Sequence, residues 1–162
     1  RGDQAIRLEF LADLAAEALF GESSELYLKL YDEGSIDSSF GGGFETIDGC
    51  AMLTCGGDSY VPEQVRSAVL AGAEAFSGLS EESFRRMKRS AFGRRVKGLD
   101  SFDATCFRVC AYHFSDFDYF RFPEIYDTIR KEDVTAFLKE TVRAENACLS
   151  VIRPVQGGEE SC

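Results

Sequence analysis

From Ala5 to Phe20, apolar residues at Leu8, Leu11, Leu14, Ala15, Ala18 and Leu19 recur at helical spacing and leave Arg7, Asp13 and Glu17 for solvent. Gly21 ends this predicted helix. Ser23 or Ser24 can cap a second one, Glu25 suits its positive end, and Gly34 supplies a left-handed stop. Residues 37–47 and 50–57 then read as two strands joined by Asp48-Gly49, a dipeptide that favours a two-residue hairpin. Gly41, Gly42 and Gly43 interrupt the first strand, each removing a packing side chain and costing backbone entropy. The simpler expectation there is a bulge or bend. The sharper one is a place where another backbone, such as a substrate strand, approaches closely.

Beyond Gly56-Gly57 the pattern turns helical. Pro62 opens a helix with Val65, Ala68, Val69, Gly72, Ala73 and Phe76 on one face, ending at Gly78. Ser80 caps the next, with Glu81 and Glu82 in its first turn and Phe84, Met87 and Ala91 inward. A further helix is predicted over 101–116, followed by an aromatic connector, Tyr119, Phe120 and Phe122, and a turn led by Pro123. Residues 131–143 form the last predicted helix, with Val134, Phe137 and Val142 inward, and Ala147 to Ile152 a closing strand. The expected fold is α+β in two layers, helices packed on a mixed or antiparallel sheet. One domain is expected over 1–154, with a disordered tail over 155–162.

Charge narrows the function. At a net −10 the chain repels phosphate backbones, which argues against general nucleic-acid binding. A local basic run, Arg85, Arg86, Lys88, Arg89, Arg94, Arg95 and Lys97, reads as a solvated helix face that also meets acidic surface elsewhere in a larger parent protein. No apolar run is long enough to cross a membrane and no leader or lipidation pattern is present, so a soluble cytoplasmic protein is expected.

The six cysteines are too scattered for a disulfide scaffold. Reduced and mostly buried thiols are expected, with Cys50, Cys55 and Cys148 in apolar surroundings. Cys106, Cys110 and His113 share a face of the predicted 101–116 helix and are a candidate metal set, completed by Asp116 or Cys148. Against it, ligands strung along one helix spread over about 10 Å, and a core stripe of Phe102, Cys106, Cys110 and His113 packing on the sheet is the plainer expectation. A catalytic thiol at Cys50 or Cys55 would want a histidine partner, and His113 is the only histidine.

LFGESSELYLKLYDEGSIDSSF at 19–40, the hairpin after it, GLSEESFRRMKRSAFG at 78–93, the helix after Ser101 and ENACLSVIRP at 145–154 occur in an order and spacing that carry a family likeness. The chain resembles the C-terminal homologous half of an M16 (insulinase, pitrilysin, processing-peptidase) zinc metalloprotease, of the bacterial YmfH type. The resemblance implies a metallohydrolase half of the M16/LuxS-like kind lacking its N-terminal strands, so that an unpaired sheet edge or exposed apolar patch should remain. In that family an inverted His-x-x-Glu-His helix in the N-terminal half holds zinc and supplies the general base. Here the run from His113 to Phe117 has phenylalanine in place of the second imidazole. The resemblance therefore implies a non-catalytic half, with zinc expected in the missing N-terminal half and no cofactor in this chain.

Many such halves also supply an arginine and a tyrosine that reach the substrate. At the matching positions stand Tyr31 and, depending on a one-residue gap, Asp37 or Ser38. Their implied role is reduced to lining one wall of a peptide chamber. The implied partners are the N-terminal half, a homologous subunit carrying the Arg/Tyr pair, and a peptide substrate. The alternatives are a stand-alone peptide- or protein-binding module, and a small domain with structural zinc at Cys106, Cys110 and His113.

Overall fold

The computed structural model describes residues 2–47 and 50–154. The expected Asp48-Gly49 turn and the expected disordered tail lie outside them. The fold is built around its first helix, α1 (Asp3–Phe20), which touches elements from every other part of the chain. Ile6, Phe10, Leu14, Ala15 and Leu19 are buried, and three small alanines, Ala12, Ala15 and Ala16, let neighbours approach closely. Glu9, Asp13 and Glu17, four residues apart, form its one acidic ridge.

Leu8 departs from expectation at 45% exposed. It lies on the same helical face as buried Ala12, Ala15 and Leu19, so that face is covered at its C-terminal end and open at its N-terminal end.

Ser24 caps α2 (Glu25–Asp32), its Oγ accepting the Tyr27 amide at 3.1 Å. Gly34 takes φ of 67°, the expected left-handed stop. The Asp37 carboxylate then accepts the Ser39 amide at 2.8 Å, an Asx turn that occupies 37–40 and delays the strand start to Gly41.

Strands β1 (Gly41–Ile47) and β2 (Cys50–Gly56) pair antiparallel with Gly41 opposite Gly56, Gly42 opposite Cys55 and Gly43 opposite Thr54. The ladder runs through the glycine triplet without interruption, so the expected bulge is absent. Gly42 has a packing reason instead: a Cβ there would sit 2.5 Å from the Phe20 ring and 2.8 Å from the Thr54 carbonyl oxygen.

Helices α3 (Pro62–Ala75) and α4 (Glu81–Lys97) follow, the latter capped by Ser80, whose Oγ accepts the Ser83 amide at 3.1 Å. The basic run divides on α4. Arg95 is 16% exposed at its side chain and donates to Asp13 at 2.9 Å, to the Tyr126 hydroxyl at 3.1 Å and to the Tyr112 hydroxyl at 3.3 Å. Its guanidinium carbon lies 3.9 Å from the Phe10 ring centre. Arg94 reaches Glu17 at 3.5 Å, whereas Arg85, Arg86 and Arg89 face solvent. Part of the run thus meets an acidic ridge of this same chain, on α1, rather than the expected acidic surface elsewhere in a larger protein.

Helix α5 (Phe102–His113) is capped by Ser101. The aromatic connector and Pro123 turn are in fact a 3-10 turn at Tyr119–Arg121 running into a helix, α6 (Phe122–Thr128). Proline fits the first turn of α6, where its missing N–H has no intrahelical partner to lose, while Phe122, Ile125 and Tyr126 are buried. In α7 (Lys131–Thr141), Val134 and Leu138 enter the core, and the Asp133 carboxylate accepts both the Arg130 amide at 2.9 Å and Arg7 at 2.6 Å.

The expected closing strand at 147–152 does not form. Among the described residues the sheet has two strands only, so this run has no ladder to join and leaves Leu149 and Val151 about 40% exposed and Ile152 96% exposed. The architecture is α+β, helices packed on a small antiparallel sheet.

Candidate functional site

Tyr31 lies on the exposed side of α2, half accessible, its ring stacked on the largely buried Tyr27 with centroids 5.8 Å apart. Asp37 and Ser38 lie in the exposed turn after Gly34. The hydroxyl and amide of Ser39 both donate to Asp37 and hold its carboxyl below the ordinary carboxylate range. The same charge contributes, after burial and Glu22, to raising the Tyr27 phenol. The turn and the exposed side of α2 are thus one continuous surface, polar and acidic, with no cation on Tyr31, Asp37 or Ser38.

Next to the turn, where α1 ends and β1 begins, an open cleft of about 410 Å³ is lined by Phe20, Gly21, Glu22, Phe40, Gly41 and Gly42. Phe20 and Phe40 meet edge to face at 6.5 Å and make its apolar floor. Gly41 and Gly43 have nothing within 4 Å of the place a Cβ would occupy, so a side chain at either would meet open space. The glycine triplet was the sequence signal for this cleft, although the close approach at Gly42 comes from a ring and a neighbouring strand within the fold.

The candidate metal set is not assembled. Among the described residues, no three His, Cys, Asp or Glu side chains converge to hold an ion; Cys106, Cys110 and His113 are strung along α5 on its exposed face, consistent with their helical spread. Nor do they form a core stripe with Phe102, since α5 buries none of its residues and Phe102 is 80% exposed. The expectation of buried thiols fails more widely: Cys50, Cys55, Cys106, Cys110 and Cys148 are all free and exposed. Apolar patterning around a cysteine predicts burial only if something covers that face, and here nothing among the described residues does.

No helix among the described residues is long and apolar enough to cross a membrane. No family model matches the chain. It is 29% identical over 157 residues to the zinc protease YmfH of Bacillus subtilis, a match that covers 94% of this chain and 36% of that protein. In fold it is similar to an M16-like peptidase from Alicyclobacillus acidocaldarius, with a TM-score of 0.80 at 23% identity, covering 90% of this chain and 36% of that one. The fold is that of part of an M16-like peptidase, and the chain spans about a third of the length of each relative.

Proposed function

We propose that the chain is the non-catalytic C-terminal half of an M16-type zinc peptidase and forms one wall of its peptide chamber. The observation that carries this reading is the unfinished sheet. Residues 147–152 carry apolar side chains and lie unpaired, the α1 face is open at Leu8, and β1–β2 is a lone hairpin. A two-stranded ribbon is marginal alone, and further strands would pair with these edges and cover that face.

In this reading zinc and the general base lie in the N-terminal half, because the described residues here assemble no ligand set. The wall excludes water and confines an extended peptide. Tyr31, Asp37 and Ser38, at the positions the Arg/Tyr pair would take, leave that pair to a homologous partner subunit. Free thiols accord with work in the reducing cytoplasm.

The test is reconstitution. The purified chain is assayed on a quenched-fluorescence unfolded peptide alone, and again with a zinc-bearing half and an Arg/Tyr-bearing subunit. Turnover is expected only in the mixture and is lost on chelation. Metal-dependent turnover that scales with this chain alone overturns the reading.

A second reading, a stand-alone peptide-binding module, draws on the cleft beside the start of β1 and on a ribbon of only two strands among the described residues, which suits strand addition. Peptide capture by the chain without any partner would favour it.

A further inference from the structure

Helix α5 and its C-cap carry the three most exposed phenylalanines among the described residues. Phe102, Phe107 and Phe114 are 80%, 75% and 87% exposed, and Cys106, Cys110 and Ala111 lie between them on the same side. At roughly 200 Å² per ring, the three phenylalanines alone leave on the order of 450 Å² of apolar surface in water. That is within the range of the largest patch on an ordinary monomer, about 300–600 Å², and more than half of the ~800 Å² each partner contributes to a standard interface.

The residues of this face read almost symmetrically about Arg108. Phe102 mirrors Phe114, Asp103 mirrors His113, and Cys106 mirrors Cys110. A twofold interface uses one patch twice, so that residue i meets residue j and j meets i. Two antiparallel α5 helices with their axis at Arg108 satisfy this. Each Phe102 packs against Phe114 of the second copy, at points about 18 Å from the other such pair, and the small cysteines at the centre permit close approach.

Charge selects the same arrangement. Asp103 and His113 are the polar residues of this face, and the antiparallel pairing sets the carboxylate of one copy beside the imidazole of the other, whose N–H can donate to it. A parallel pairing would place Asp103 against Asp103, which costs energy. Arg108 does not obstruct the centre, since it is directed to the other side of the helix, with Nη1 buried against Gly98.

We propose that α5 is a homodimerisation surface, two copies of this chain packing antiparallel through Phe102, Phe107 and Phe114. Sedimentation equilibrium of the 162-residue chain at about 50 µM, above the micromolar Kd suited to an interface of this size, should return a dimer of the 17.9 kDa chain. Phe114→Glu, at a side chain already in water, should weaken association at least tenfold and leave the far-UV circular dichroism unchanged.

Register is read by cross-linking. With all six cysteines changed to serine, a short bismaleimide should couple a mixture of Asp103→Cys and His113→Cys chains, and couple neither variant alone, since like positions then lie about 15 Å apart along the antiparallel helices. A monomer at all concentrations, an association indifferent to Phe114→Glu, or coupling of Asp103→Cys chains to one another overturns the proposal. Peptidase reconstitution reads a separate outcome and does not bear on it.

Discussion

Replacing Arg95 by alanine should cost about 3–5 kcal/mol, although six other cations stand within the same thirteen residues. The guanidinium serves five groups at once. It donates to two phenols, Tyr126 at 3.1 Å and Tyr112 at 3.3 Å, and both rings sit in the aromatic core. Hydrogen bonds from a charged donor contribute about 1.5 kcal/mol or more each, and truncation leaves those hydroxyls short of a partner. The contact with Phe10 adds about 1 kcal/mol where the cation is desolvated. The carboxylates count for less: Asp13 and Glu9 are 40% and 32% exposed at their side chains and regain water when the cation goes.

A chain of this length loses about 2–4 °C in Tm per kcal/mol, so Arg95→Ala should melt about 10 °C lower by calorimetry. Arg89→Ala, on the solvent side of the same helix, should stay within about 0.5 kcal/mol of the parent. Arg95→Lys should recover less than half of the loss, because one ammonium cannot serve two phenols and a carboxylate in a fork. Equal melting of Arg95→Ala and Arg89→Ala would refute the reasoning, and would mean the cluster is no more than a surface ion pair.

Two further outcomes follow from the same packing. Burial raises the phenols of Tyr112 and Tyr126 above the ordinary value of 10.0, with Glu9 adding to the shift at Tyr112. The folded state then holds protons that the unfolded chain releases, so stability is full below about pH 10 and falls as pH rises through the folded values. A Tyr112→Phe chain should show a shallower fall in urea midpoint between pH 9 and 11, and an unchanged slope would refute the assignment. Gly42→Ala should cost about 2–3 kcal/mol through collision with Phe20, which is buried and cannot swing aside, whereas Gly43→Ala, with nothing within 4 Å, should be near neutral. Similar denaturation midpoints for the two variants would sink the packing explanation for Gly42.

Local features were legible wherever the physics is local. The Ser24 and Ser80 caps, the left-handed Gly34 and the proline start of α3 depend on a few neighbouring residues, and all stand where the pattern puts them. α6 was obscured because Pro123 reads as a breaker, although at the first turn of a helix it has no hydrogen bond to break. Arg95 could not be told from Arg94 or Arg89 in sequence. Its role depends on Tyr112, Tyr126 and Phe10, which arrive from three other helices, and only the fold brings them within reach.

The misreadings of burial share one cause, and it bears on function. Leu8, Phe102, Cys106, Cys110, Cys148 and Ile152 all occupy positions patterned for a core, and all are exposed. Composition alone would not place so many apolar side chains in water in a chain that also buries Phe10, Leu14, Tyr119 and Leu138 almost completely. The exposed set divides in space by element. In the proposed reading Leu8 and residues 147–152 border an unfinished sheet, where the 147–152 backbone as well as its side chains would take a partner, and added strands would satisfy both. The α5 face has its backbone fully paired within the helix, so it asks for side-chain packing alone, which a second helix provides. On the two proposals one surface takes the rest of a peptidase and the other a second copy, and both can be occupied together because they fall on different elements.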